Sequence, residues 1–214
     1  MNRLTSVLGA MALAVLSGGA WLWSAALPSG QVLAQEVDTS TIVEMTLGEE
    51  SAPIEMIEYA SYTCPHCRTF HETVFKKLKA DYIDTGKVKF IYREVYFDRF
   101  GLWASMIARC AGPDRFFGVN DLLYAGQPEW TRAGDPAAIV EELRKIGRLA
   151  GLGNDELEAC LQDGDKARTL VAWYQENVEE HEIESTPSFV VNGKKVSNMN
   201  YEEFKALLDE ELDS

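Results

Sequence analysis

The sequence predicts an α/β fold in which a sheet-forming unit is interrupted by an all-helical insertion. Three observations carry this expectation. Strand-like and helix-like patterns alternate up to residue 97, and helical patterns alone fill residues 98–164. A strand hairpin and an amphipathic helix then close the chain.

Taken in order, residues 35–50 are polar and irregular, with a short strand expected from Thr41 to Met45. Ala52 to Tyr59 is an apolar run with Pro53 near its start, the pattern of a buried strand. Cys64-Pro65-His66-Cys67 follows it. A helical pattern then runs through Phe70, Val74, Leu78 and Tyr82, and Gly86 stops it. Val88 to Phe97 alternates as a second strand.

From Asp98 the texture becomes helical. Asp135-Pro136 is an N-cap followed by proline at the first helical position. Ile139, Val140, Leu143, Ile146 and Leu149 mark one face of that helix. Asn154 is a candidate cap for the next helix, and another helix is expected from Asp165 to Glu180. Strand texture returns at Ser188 to Val191. Asn192-Gly193 is a hairpin turn signal, and Lys194 to Val196 is the returning strand. The last helix carries Tyr201, Phe204, Leu207 and Leu208, with Asn200 and Glu203 as a cap-like start.

The 214 residues suit one globular domain, or a compact domain carrying an insertion. Apolar content of 46% is enough for a core. The formal net charge of -14 repels phosphate backbones, which argues against nucleic-acid binding.

The N-terminus stands apart. Arg3 precedes an apolar run from Val7 to Leu16, and Val32-Leu33-Ala34 offers a small-residue exit before Gln35. This is the pattern of a secretory signal over residues 1–34. The alternative is an uncleaved anchor helix, since Leu4 to Leu27 is long enough to span a bilayer. Both readings put the folded part outside the cytoplasm, in the periplasm or on the exterior of the cell envelope.

Four cysteines, Cys64, Cys67, Cys110 and Cys160, would then meet a disulfide-permissive compartment. Two cysteines separated by two residues at a strand-to-helix junction can close a tight disulfide and open it again. Cys64 would sit at the helix N-terminus, where unpaired N–H groups and the helix dipole favour a thiolate. Pro65 suits the first turn because it needs no amide donor. His66, if protonated, adds a positive charge beside the sulfur. Only the reduced protein contains the thiolate. Stabilising it therefore makes the disulfide a stronger oxidant, by about 30 mV per 1.4 kcal/mol.

A zinc half-site and a structural disulfide are the alternatives at this motif. No second C-x-x-C or paired-histidine motif accompanies it, so no metal is expected.

Glu58-Tyr59-Ala60-Ser61-Tyr62-Thr63-Cys64-Pro65-His66-Cys67 resembles the active-site segment of the DsbA family of thioredoxin-fold oxidoreductases. Ser185-Thr186-Pro187-Ser188-Phe189-Val190-Val191-Asn192-Gly193 resembles that family's second signature, and the likeness covers residues 40–212. It implies a thioredoxin fold over 35–97 and 165–214, with the helical subdomain 98–164 inserted. It implies that Pro187 is a cis-proline facing the pair, with Thr186 beside it binding substrate backbone and touching the Cys64 sulfur. Threonine at this position also occurs in isomerase-like relatives, so the direction of electron flow stays open.

The same resemblance gives Glu58 a role in proton transfer to Cys67. The residue-level alternative is a sheet-edge glutamate paired with Arg93 or a lysine. His71 is expected at the surface or in a groove, and His181 is assigned no role.

Cys110 and Cys160 are expected to form a structural disulfide, as a second pair does in some DsbA-like proteins. A regulatory disulfide or two buried free thiols are the alternatives. The implied enzyme needs no cofactor, acts as a monomer on partly folded secreted chains, and is reoxidised by a DsbB-like membrane partner. Two rival readings remain. One is a reductase or isomerase of the same fold. The other is a non-catalytic chaperone with an apolar groove of Tyr62, Phe70 and Trp103.

Overall fold

The computed structural model describes residues 37–214. The signal or anchor expected over residues 1–34 lies outside the described residues. Among the described residues no helix is long and apolar enough to cross a membrane.

Five strands form one sheet: β1 (Met45–Leu47), β2 (Ile54–Ala60), β3 (Val88–Glu94), β4 (Ser188–Val191) and β5 (Lys194–Ser197). Their order is β1-β3-β2-β4-β5, with β2 parallel to β3 and every other pair antiparallel. The apolar run read as a buried strand thus becomes the central strand. The first strand lies later than its composition suggests, because pairing of Met45 with Tyr92 and Leu47 with Phe90 defines it.

Side chains alternate across the sheet with period two. Met56, Phe90, Phe189 and Val191 face one way, Ile57, Ile91 and Val190 the other. The first face is covered by the helical rod that follows the cysteine motif. The rod comprises α1 (Pro65–Phe70), a π-helical turn (His71–Phe75), α2 (Lys76–Leu78) and a second π-helical stretch (Lys79–Ile83). The rings of Phe70, Phe189 and Phe204 meet at centroid distances of 4.7, 5.7 and 4.9 Å. Such contacts contribute about 1 kcal/mol each beyond burial, and here they lock the start of the rod to β4 and the last helix.

Between β3 and β4 lie α3 (Arg99–Cys110), α4 (Pro113–Ala125), α5 (Gln127–Trp130), α6 (Pro136–Leu149), α7 (Asn154–Gln162) and α8 (Gly164–Glu180). A thioredoxin-type mixed sheet with inserted helices is therefore the fold. Asp135 caps α6 by accepting from the Ala138 N–H. Asn154 is the first helical residue rather than the cap, which falls on Gly153. Gly147 lets α6 approach α7 closely, since a Cβ there would run into the Leu157 side chain.

Leu123, Leu143 and Leu157 of these helices share one core with Met56 and Phe90 of the sheet. A buried ion pair adds a specific joint. Arg109 of α3 donates to both carboxylate oxygens of Glu94, at 2.7 and 2.6 Å, and to the Val43 carbonyl. Removing one partner would leave a buried charge at a cost of about 3–5 kcal/mol.

The hairpin turns at Asn192-Gly193, with φ of 47° and 78°, the left-handed pair that a tight hairpin requires. The final helix, α9 (Tyr201–Leu212), opens with a reciprocal cap between Asn200 and Glu203.

Candidate active site

Strand β2 ends at Ala60, and Ser61-Tyr62-Thr63 turn the chain into α1. The Cys64 N–H donates to the Ser61 carbonyl at 3.1 Å, and Cys64 is the N-cap residue with Pro65 next. Gln127 of α5 holds this turn from the side. Its buried amide donates to the carbonyls of Tyr62 at 2.7 Å and Cys64 at 3.0 Å. Asp98 caps α3 and also accepts from the Thr63 hydroxyl at 2.8 Å.

Pairing of Tyr59 with Ser188 brings the Thr186–Pro187 peptide opposite the motif, and that peptide is cis. The Cys64 thiol donates to the Thr186 carbonyl at 3.5 Å. The Thr186 hydroxyl is buried without a partner in this thiol state and favours the Cys64 thiolate. Thr186 thus meets the thiol through its carbonyl, while its side chain helps to lower Cys64.

Both cysteines are thiols, and they differ sharply. Cys64 is lowered to about 5, first by the hydrogen bond from the Cys67 thiol; burial opposes this, and Thr186 and the backbone N–H groups of Cys67 and His66 assist. Cys67 is pushed strongly upward, mainly by burial, then by its bond to Cys64 and by the charge of Glu58. One sulfur is set to be an anion and the other to keep its proton. Pro65 and His66 are exposed. The backbone N–H of His66 faces the sulfur.

Glu58 is not a sheet-edge residue. It sits in the central strand at 1% exposure, and its Oε1 has no hydrogen-bond partner. Pairing with Arg93 is ruled out by alternation, since Glu58 stands opposite Tyr92 and Arg93 points to the other face. Arg93 instead donates to Glu44 at 2.7 and 3.0 Å and to the Tyr59 hydroxyl. Burial first, and the nearby Cys64 charge second, raise Glu58 well above the usual carboxylate range.

His71 is not a surface residue. It is buried, with Nε2 2.6 Å from Asp121 Oδ1 and its ring stacked on Phe75 and tilted against Tyr124, because α4 covers that side of the rod. Tyr62 and Phe70 are core residues, so the three-aromatic groove does not form; Trp103 alone is half-exposed. His181 takes the Tyr59 hydroxyl at 2.5 Å on the far face.

Cys110 and Cys160 form a disulfide between α3 and α7, with Cα atoms 6.1 Å apart. Among the described residues no three His, Cys, Asp or Glu side chains converge on a metal-sized site.

Gln127, Asp98, Tyr92 and Tyr124 carry site contacts that sequence reading did not assign. Asp98 alone left a signal, as a helix cap.

A family model described as Thioredoxin matches residues 40–210. A Rickettsia bellii relative named as a protein-disulfide oxidoreductase is 34% identical over 171 residues, covering 79% of this chain. The chain spans 65% of that relative's length. Disulfide bond formation protein D of Bacillus subtilis is 29% identical over 175 residues, covering 78% of this chain and 76% of its own. The crystal structure of Wolbachia pipientis alpha-DsbA1 superposes with a TM-score of 0.73 at 30% identity, covering 78% of this chain and 89% of that one. A family match over most of the described residues and a DsbA structure nearly all of which is covered agree with the motif geometry. The chain belongs to the DsbA family of thioredoxin-fold protein-disulfide oxidoreductases.

Proposed function

We propose that this protein is a dithiol oxidase for exported proteins that are still folding. The observation that carries the reading is the asymmetry of the pair, with Cys64 lowered to about 5 and Cys67 raised. With an ordinary thiol at 9.0, the thiolate stabilises the reduced form at pH 7 by about 3 kcal/mol. Cys67 adds nothing there, because an ordinary thiol is also protonated at that pH. The disulfide is therefore more oxidising by about 60 mV than an unperturbed pair.

A substrate thiolate attacks Cys64, forming a mixed disulfide. The Cys64–Cys67 bond breaks, and its electron pair leaves on Cys67. Cys67 cannot stay an anion in its buried site and takes a proton, which Glu58 is placed to give. A second substrate thiolate attacks the substrate sulfur of the mixed disulfide and releases Cys64 as thiolate. Two electrons pass from the substrate to the protein, and no cofactor enters the exchange. Thr186 and cis-Pro187 present backbone to an extended substrate segment. His66 supplies an N–H to the sulfur and Pro65 leaves the helix start free of a competing amide.

The chain would work as a monomer in the periplasm or outside the cell envelope, exported by residues 1–34. A DsbB-like membrane protein would take the two electrons onward. Residues 35–97 and 165–214 would be the catalytic thioredoxin unit and 98–164 its helical insertion, with Cys110–Cys160 a structural staple.

Thr186 supports a second reading, a reductase or isomerase, since threonine at that position accompanies such relatives. Acid-quenched, alkylated cells discriminate the two. Oxidase function requires Cys64 and Cys67 to be mostly disulfide in vivo; a mostly dithiol pair means a reductase or isomerase.

A further inference from the structure

Beneath the reactive pair lies a buried polar cluster that the exchange above does not use. Tyr62, Tyr92 and Tyr124 are each no more than 1% exposed. Tyr92 stands beside Glu58 in the parallel β2–β3 register, so both project from the same sheet face. The Tyr92 and Tyr124 hydroxyls are 2.7 Å apart. Tyr124 also donates to the Ser61 carbonyl at 3.4 Å, and the Ser61 N–H faces the Cys67 sulfur. The Tyr62 ring leans on both others, at 5.8 and 5.4 Å, and its hydroxyl has no partner within hydrogen-bond geometry.

Phenylalanine would fill this volume without the desolvation cost of a buried hydroxyl. Hydroxyls nevertheless gather beside a carboxyl whose Oε1 is unpartnered. The other groups around the cluster are committed elsewhere. Glu94 and Arg109 close on each other, Tyr96 shares a hydrogen bond with Ser105, and His71 directs Nε2 to Asp121 while its ring tilts against Tyr124. Cys64 faces Thr186.

We propose that the Tyr92–Tyr124 hydroxyl pair positions Glu58 so that its proton reaches Cys67 as the Cys64–Cys67 bond breaks. The inference rests on the reading of that pair as the reactive disulfide. In the step, the incoming thiolate bonds to Cys64, the electron pair leaves on Cys67, and the Glu58 proton moves to Cys67. As the carboxylate forms, the Tyr92 hydroxyl turns its proton from Tyr124 to Glu58, while Tyr124 stays on the Ser61 carbonyl. Burial raises all three tyrosines, so they stay neutral donors throughout. Tyr92 and Tyr124 are positioning residues.

The test is reduction of the oxidised full chain by dithiothreitol, acid-quenched on the millisecond scale, in H₂O and D₂O between pH 5 and 9. Wild type, Tyr124→Phe, Tyr92→Phe, Glu58→Gln and Tyr124→Phe/Glu58→Gln are compared. Each tyrosine variant is expected to react about tenfold slower at pH 7 and to lose the wild-type solvent isotope effect. The double variant should be no slower than Glu58→Gln, because residues serving one step are not additive. The ultraviolet titration of the Cys64 thiolate should not move, which separates positioning from general loosening of the site. Tyrosine variants as fast as wild type, or a slowing that multiplies with that of Glu58→Gln, would overturn the inference. If Tyr124→Phe fails to fold, Tyr92→Phe decides by the same criteria, with its own Glu58→Gln double. A wild type whose pair exchanges with no thiol would instead overturn the proposed function.

Discussion

The chain holds two cysteine pairs whose surroundings differ in every respect that governs sulfur chemistry. Cys64 and Cys67 sit where a central strand turns into a helix, with N–H groups, a hydroxyl and a carbonyl gathered round one sulfur and a raised carboxyl near the other. Cys110 and Cys160 are 50 residues apart, bridging two helices of the inserted segment. The first pair is arranged so that its two protonation states differ strongly in energy. The second is arranged so that a long loop is closed. Reactivity in this molecule follows from the donors placed around a sulfur, since all four cysteines share the same intrinsic chemistry.

The sharpest way to break the contrast is to remove the attacking sulfur of the first pair and both sulfurs of the second. Cys64→Ser is expected to abolish oxidation of a dithiol peptide, leaving only the uncatalysed rate, and in the reduced state to remove the roughly 3 kcal/mol that the thiolate contributes at pH 7. Cys110→Ala/Cys160→Ala should spare oxidation and lower stability equally whether the first pair is reduced or oxidised. Closing a 50-residue separation stabilises a fold by about 4 kcal/mol, and urea titration should show most of that lost while peptide oxidation persists.

The next largest effect falls on the turn that carries Cys64. Gln127→Ala leaves two buried carbonyls unpaired and should cost about 1–3 kcal/mol, together with a slower exchange rate, measured by urea titration and peptide oxidation.

pH should separate the pairs as well. The Cys64 thiolate is stabilised relative to an ordinary thiol at 9.0, so it favours the folded reduced protein fully above about pH 9 and loses that contribution as pH falls through about 5. Reduced minus oxidised stability should therefore decline on acidification across that window. The Cys110–Cys160 bond has no proton to release and should contribute equally throughout. Thr186→Val is the smallest change, raising the Cys64 midpoint by one pH unit or less, about 1.4 kcal/mol at most, as read by thiolate absorbance.

Much of this was legible in the sequence because it is written locally. The Asn192-Gly193 turn, the Asp135 cap, the Asn200–Glu203 box and the placement of Cys64 at a helix start each depend on a few adjacent residues. What was not legible depends on register and on which element covers which. The alternative pairing of Glu58 with Arg93 fails because Tyr92, and not Arg93, shares its sheet face. His71 is buried because α4, 50 residues away, lies over the rod. Gln127 has no local mark at all, since its role exists only once α5 is folded against the Tyr62–Cys64 turn.

The contrast between the pairs is tested most directly by equilibrating the full protein with glutathione redox buffers and scoring each pair by alkylation and mass. The Cys64–Cys67 pair is expected to be the more oxidising, with a potential above about −200 mV, while Cys110–Cys160 stays closed across the range. A Cys64–Cys67 potential near thioredoxin's, about −270 mV, would contradict the oxidase assignment. So would reduction of Cys110–Cys160 before Cys64–Cys67, because it would reverse the roles given to the two pairs.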